Sequence, residues 1–271
     1  MPRQPLRYDT TNNEKELILP AIYGVKSLMK ACLGTSVRRV VLTSSFASVL
    51  NAERSAEAQK TGPYFEYTSD DWNPLTYAEA IDPKTSAVIA YRGSKTFAER
   101  AAWDFIQDRT SYGEPPPFEL ITLCPPMAFG PVSHPVTRAS ELNESNAMLW
   151  AVASGAELPV ARVPFWVDVR DLAAAHVESL LRLDTGMKRF VIASPERFTY
   201  GLAASIIHEE FGEWATQVGV RKEDQILDKS YGLNGSDASS CLGFEYRTFR
   251  ESVVDLVKQV QQLEADSVRK A

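Results

Sequence analysis

The sequence predicts an α/β protein whose main strands run parallel. Two short apolar runs carry this reading. Val37-Arg-Arg-Val-Val-Leu-Thr-Ser-Ser45 and Phe118-Glu-Leu-Ile-Thr-Leu-Cys124 are aliphatic or β-branched at consecutive positions, the pattern of strands covered on both faces. A long stretch with helical periodicity lies between them. Strand, helical connection, strand is the order that builds a parallel sheet.

The elements follow in order. Residues 1–13 are polar and proline-containing and read as a flexible arm. From Glu14 to Leu33, apolar residues at Leu17, Ile18, Ile22, Val25, Leu28, Met29 and Cys32 recur at helical spacing, which predicts a helix with one buried stripe. The first strand is expected from about 37 to 44. Residues 51–88 are polar and broken by Pro63, Pro74 and Pro83, so loop with short helical turns is expected. A helix is predicted from Ala87 to Asp108. Pro115-Pro-Pro117 ends that region, and Pro125-Pro126 stops the second strand.

The second half is less regular. Asn143–Ser154 reads as helix and Val160–Val169 as extended chain. Val169–Leu183 reads as a helix with Asp168 or Asp171 at its start, where a carboxylate favours the helix dipole. Arg189–Ala193 is a predicted strand, and Thr199 opens a helix to Phe211. Thr248-Phe-Arg-Glu251 has capping-box spacing before a terminal amphipathic helix. Its last residues, Ser267–Ala271, are expected to fray.

Composition narrows the function. A chain of 271 residues, 44% hydrophobic, can bury a substantial core. A net charge of -6 argues against nucleic acid as a partner. Three scattered cysteines, Cys32, Cys124 and Cys241, give no disulfide framework and no zinc knuckle, which fits a reducing, cytoplasmic location. No segment approaches the roughly 18 apolar residues of a membrane span, and the first residues lack the apolar core of a signal peptide. Neither a membrane nor a metal ion is expected as a partner.

The chemistry-bearing residues lie near the ends of the two strands. Of the ten tyrosines, only Tyr91 has a lysine, Lys95, four positions later, which puts both on one helical face. Tyrosine has a pKa of about 10 and is a poor proton donor or acceptor at neutral pH. A nearby ammonium favours the phenolate; lowering the value to about 7 corresponds to roughly 4 kcal/mol. The spacing alone is also met by chance on exposed helices. Thr43-Ser44-Ser45 and Cys124-Pro125-Pro126 then add hydroxyls and a rigid turn at the carboxyl ends of two strands, where ligands of open α/β sheets bind. The hydroxyls can equally cap the strand.

These segments resemble consecutive blocks of the extended short-chain dehydrogenases/reductases, within the NAD-dependent epimerase/dehydratase superfamily. The blocks are Val37–Ser45, Tyr91-Arg-Gly-Ser-Lys95 with its continuation to Trp103, Cys124–Pro131, Phe165–His176 and Leu242–Tyr246. The nearest branch holds dihydroflavonol reductases, cinnamoyl-CoA reductases and fungal aldehyde or ketone reductases. Ser69-Asp-Asp-Trp-Asn-Pro-Leu-Thr-Tyr77 is similar to a stretch of the fungal members. The resemblance covers about Glu14 to Leu263. It implies a Rossmann-like parallel sheet and reduction of a small-molecule ketone or aldehyde by hydride from NADP(H) rather than NAD(H). Tyr91 would be the proton donor. Lys95 would bind the nicotinamide ribose and lower the tyrosine pKa, Ser45 would orient the carbonyl, and Pro125 would wall the nicotinamide. Residues 14–131 would form a partial Rossmann-like catalytic domain. Residues 132–271 would form a mixed substrate-side portion intertwined with it, and His134, Asn143, Ser145 and Asn146 would line the pocket.

One block of the family pattern is missing. The family opens with a strand and a Gly-x-x-Gly-x-x-Gly turn that lets backbone amides approach the pyrophosphate. The fourteen glycines here are scattered and form no such motif. The sheet is therefore expected to lack its first βα units and to carry an open strand edge, covered by the N-terminal arm or by a homodimer. Two other readings stay open: a non-catalytic relative acting as a binding or interaction module, and a sugar-nucleotide epimerase or dehydratase. The Asp-Asp-Trp-Asn stretch argues against the latter.

Overall fold

A computed structural model of the chain describes residues 10–54, 63–110, 115–219 and 229–270. Most of the predicted flexible arm lies outside them. The chain divides into two compact units, each made of three segments.

The first unit comprises Met1–Cys124, His176–Val191 and Ser230–Leu242. One π-type turn, Glu14–Ile18, leads into α1 (Leu19–Ala31), as the apolar stripe predicts. Strand β1 (Arg39–Thr43) follows. In the proline-broken stretch, α2 (Tyr77–Ile81) is one of the expected short helical turns, and β2 (Phe65–Tyr67) is a strand where loop is expected. The helix α2 owes its start to a capping box between Thr76 and Glu79. The long helix α3 runs from Ala87 to Thr110, and β3 from Glu119 to Cys124.

The sheet of this unit has the order β1-β3-β6, with β6 at Lys188–Val191. All its pairs are parallel, with Thr43 opposite Leu123 and Cys124 opposite Val191. The predicted fold class is therefore observed. The strand β1 lies at the sheet edge among the described residues. Strand β2 pairs in parallel with β7 (Tyr231–Leu233), which precedes α7 (Ser236–Leu242). Met29, Leu42, Ala102, Ile106, Phe118 and Leu120 form one buried cluster joining α1, β1, α3 and β3.

The second unit comprises Pro125–Ala175, Ile192–Lys229 and Gly243–Ala271. The interleaving of the two units follows strand pairing: β6 belongs with β3, so the chain returns to the first unit after residue 175. The strand β4 (Met127–Phe129) pairs with β5 (Trp166–Asp168), the only strand within the predicted extended stretch 160–169. Helices α4 (Glu144–Ala153), α6 (Tyr200–Phe211) and α8 (Phe249–Lys270) pack around Phe129, Trp166, Phe198 and Phe249. Thr199 caps α6 through Leu202 N at 2.9 Å. Thr248 and Glu251 form the predicted reciprocal cap. The helix α8 continues to Lys270, past the expected fraying point.

Helix α5 (Val169–Leu181) begins where the sequence places an acidic residue. Asp168 is the cap, accepting from Arg170 N at 2.7 Å. Arg39 of β1 closes the other end, donating to the carbonyls of Ser179 at 2.9 Å, Leu180 at 3.3 Å and Arg182. An arginine there satisfies orphan carbonyls and opposes the negative end of the dipole.

Candidate active site

Tyr91 and Lys95 sit in the first half of α3, whose first turn is tied to Ser86. The Ser86 carbonyl accepts from Ala90 N at 3.0 Å. Ala90, Ala98, Ala101, Ala102 and Ile106 form the buried side of the helix. Tyr91 and Lys95 are half-buried. The Lys95 ammonium lies 5.5 Å from the Tyr91 ring centroid, as an i, i+4 pair should. Burial pulls Lys95 below its ordinary pKa. A partly desolvated cation acts on its neighbours through a lower effective dielectric, which strengthens its hold on an adjacent phenolate.

Ser45 follows β1 and opens a one-turn 3-10 helix, Phe46–Ser48. Its Oγ accepts from Ala47 N at 3.1 Å. A hydroxyl that accepts this bond still has its own hydrogen to give. The turn packs against α3 and β3. Ser44 N donates to Leu123 O at 2.7 Å, so the serine segment and the end of β3 share the carboxyl edge of the sheet. Pro125 is buried and opens the second unit directly after Cys124. Ser45, Tyr91 and Lys95 thus belong to one compact unit, and Pro125 belongs to the other.

Sequence reasoning missed the buried hub beneath this site. Glu99 lies four residues beyond Lys95 on the same helical face and is 1% exposed. Its Oε2 accepts from Ser44 and Ser48, both at 2.5 Å. Its Oε1 accepts from Thr122 at 2.7 Å and from Arg189 Nε at 2.8 Å. Burial alone would push the Glu99 carboxyl up. The Arg189 charge and the bonds from Arg189, Ser44 and Ser48 outweigh burial and hold it below the usual value. Burial and the Glu99 charge together raise the Cys124 thiol to about 12. One signal was present: a glutamate among buried alanines, at the same helical spacing as the Tyr-Lys pair.

Arg189 also explains the Ser69–Asn73 stretch. Its Nη1 donates to Ser69 O at 2.7 Å and Asp71 O at 2.6 Å, and its guanidinium lies 3.8 Å from the Trp72 ring centroid. Asn73 then joins the serine turn: its N donates to Ser48 O at 2.8 Å and its Nδ2 to Ala47 O at 3.0 Å.

Other candidates have structural duties. His176 meets Thr43 Oγ1 at 2.7 Å. Buried Asn146 spends its amide on Gly130, accepting from its N at 3.2 Å and donating to its O at 2.8 Å. Gly130 has φ +118, a conformation that side chains disfavour. Ser145 Oγ donates to Ala128 O at 2.6 Å. Ser145 thus bonds the strand β4 itself, and Asn146 the glycine that follows it. Asp168 is fully buried, paired with Arg170 at 2.8 Å and bonded by Ser252. Among the described residues no cluster could hold a metal ion.

The residues present suit one end of a nicotinamide cofactor. A phenol and a partly desolvated ammonium on one face can hydrogen-bond a ribose diol. No Gly-x-x-Gly-x-x-Gly turn precedes a helix among the described residues, so they hold no cradle of that kind for the pyrophosphate.

No protein-family model matches the chain. Ketoreductase azaE of Aspergillus niger is 32% identical over 264 residues, which cover 93% of the chain and 72% of the relative. The NADPH-dependent methylglyoxal reductase GRE2 of Saccharomyces cerevisiae is 30% identical over 270 residues, covering 96% of the chain and 75% of the relative. The crystal structure of Gre2 from Candida albicans superposes with a TM-score of 0.79 at 31% identity, over 95% of this chain and 75% of that one. Vestitone reductase from alfalfa, 18% identical with a TM-score of 0.64, shares the fold. The chain spans about three quarters of these fungal relatives and carries their fold, and it belongs to the Gre2-like NADPH-dependent reductases, a branch of the extended short-chain dehydrogenases/reductases.

Proposed function

We propose that the chain reduces a small ketone or aldehyde with NADPH, using Tyr91 as the proton donor. What supports this reading is that Tyr91, Lys95 and the Ser45 turn belong to one compact unit, with that turn following β1 and packing against α3, the helix that carries the other two. When bound, NADPH supplies the hydride to the carbonyl carbon. The protein's part is orientation and proton delivery. The Ser45 hydroxyl donates to the carbonyl oxygen and stabilises the charge that develops there. The Tyr91 phenol passes its proton to that oxygen, giving the alcohol. The Lys95 ammonium stabilises the phenolate left behind until solvent reprotonates it.

We place the reaction in the cytoplasm, where reducing conditions keep the three free cysteines as thiols. A homodimer would cover the edge of β1.

Two measurements test the proposal. NADPH fluorescence should change on titration with the protein; no binding at millimolar cofactor overturns the enzymatic reading for this chain. Methylglyoxal, which the Saccharomyces relative is named for reducing, is the first substrate to try. Tyr91→Phe should lower turnover by about 10²–10⁴-fold with unchanged circular dichroism. Unchanged turnover would mean that another group delivers the proton.

A further inference from the structure

We propose that Glu99 and Arg189 are positioning residues that set where Ser45 stands relative to Tyr91 and Lys95. The proposal rests on the reductase reading, which assigns those three residues their roles.

The argument starts from a helical row. Tyr91, Lys95 and Glu99 are spaced i, i+4, i+8, so one face of α3 carries the proton donor, its cation and a buried carboxylate. That carboxylate grips the residues on either side of the reactive serine: Ser44 at 2.5 Å before it and Ser48 at 2.5 Å after it. Ser48 Oγ also lies 2.7 Å from the Ser45 carbonyl, the alternative acceptor for its single hydroxyl hydrogen. The turn bearing Ser45 is thereby fastened to the helix bearing Tyr91 and Lys95 through one side chain.

A second strap closes a circuit. Asn73 bonds the turn at Ala47 O and Ser48 O. The loop leading to Asn73 is held by Arg189 through Ser69 O, Asp71 O and the Trp72 ring. Arg189 in turn pairs with Glu99 at 2.8 Å. Helix, turn and loop are thus fixed by one ion pair, whose partners expose 0% and 8% of their side chains. Both carboxylate oxygens are fully engaged, so the carboxylate has little room to move. Catalytic hydrogen bonds need their groups held within about 0.5 Å.

The test is a double-mutant cycle on turnover, in the full chain with NADPH and methylglyoxal. Glu99→Gln keeps shape and lets the two serines turn their hydroxyls, but loses the charge that holds Arg189. It should lower kcat at least tenfold, while NADPH affinity, read by cofactor fluorescence, stays within twofold. In a Ser45→Ala background the same change should cost less than twofold, because the group being positioned is already gone. An equal loss in both backgrounds, or an unchanged kcat, overturns the proposal. Asn73→Ala, which cuts only the second strap, should show the same dependence on Ser45 if Glu99→Gln fails to fold.

A readout without turnover separates this proposal from the reductase reading. Hydrogen exchange followed by mass spectrometry should show residues 44–50 exchanging at least tenfold faster in Glu99→Gln, with residues 200–211 of the second unit, which make no bond to Glu99, unchanged. If the parent protein shows no turnover, the reductase reading fails on its own. Unchanged exchange at 44–50 sinks the positioning role regardless.

Discussion

Gly93, between Tyr91 and Lys95, offers a sharp test of how tightly α3 is seated. It is buried where α3 meets α2. A Cβ added there would stand 2.9 Å from Ala80 Cβ, 3.1 Å from Leu75 Cδ2 and 3.3 Å from Phe97 Cε2. Ordinary carbon contacts are about 3.5–4.0 Å. The leucine and phenylalanine atoms lie at the ends of rotatable side chains and can yield. Ala80 Cβ cannot, because it is fixed to a helix locked by its capping box. Overpacking of this kind costs about 1–3 kcal/mol. Replacing a helical glycine by alanine returns about 1 kcal/mol, so Gly93→Ala alone is a poor discriminator. The pair is a good one. Gly93→Ala with Ala80→Gly removes the clash and exchanges the two propensity terms. The double variant should be more stable than the sum of the single changes by about 1–3 kcal/mol, read from urea unfolding midpoints. A coupling below about 0.5 kcal/mol, the usual scatter for independent sites, would refute the close approach of α2 and α3.

Two further outcomes follow from buried charges outside the proposed circuit. Arg39→Ala should destabilise the protein by about 1–3 kcal/mol, because it strands the terminal carbonyls of α5, while loss of the pair with Glu119, 40% exposed, adds little; a loss under about 0.5 kcal/mol in denaturant melts would mean that the carbonyls find other donors. At Asp168, burial raises the carboxyl, but Arg170 and Ser252 outweigh it and leave the folded-state pKa below the ordinary value. A depressed carboxylate contributes stability that is present above the unfolded value of about 3.9 and is lost as pH falls through the folded value. Asp168→Asn should therefore be the less stable protein at pH 7, and its deficit in thermal melts should shrink as the pH drops below about 4; a constant deficit would contradict the assigned ion pair.

The parts of the fold that were legible in the sequence are those whose signal is local. The apolar stripe of α1, the continuous apolar runs of β1 and β3, and the Thr248–Glu251 box before α8 each report on their own backbone. The strand β2 is obscured because Pro63 dominates the pattern around it, while the deciding fact is a distant partner, β7. The strand β4 was hidden behind Pro125-Pro126 for the same reason: its partner β5 lies about forty residues away. The Tyr-Lys pair was readable because i, i+4 spacing is geometric. Glu99 shares that spacing and was passed over because its partners, Ser44, Thr122 and Arg189, are spread along the sequence and converge only in the sheet.

That convergence bears on how the site is built. A buried carboxylate and guanidinium give a sheet little net stability, since hydrophobic side chains of similar volume often do as well or better. What they supply is direction: each hydrogen bond fixes an angle as well as a distance, and Glu99 fixes four of them. The cluster bonds the turn that carries Ser45 and stands on the helix face that carries Tyr91 and Lys95, the residues proposed for proton transfer. Every member of the cluster comes from β1, α3, β3, β6 or the serine and tryptophan loops, all within the first unit. The arrangement of the groups proposed for proton transfer therefore depends on contacts within that unit. Cofactor affinity depends in addition on phosphate contacts, which the described residues do not provide through a glycine-rich turn. Measured separately, turnover per bound cofactor and cofactor affinity should respond to different residues: Glu99 and Asn73 for the first, Lys95 for both.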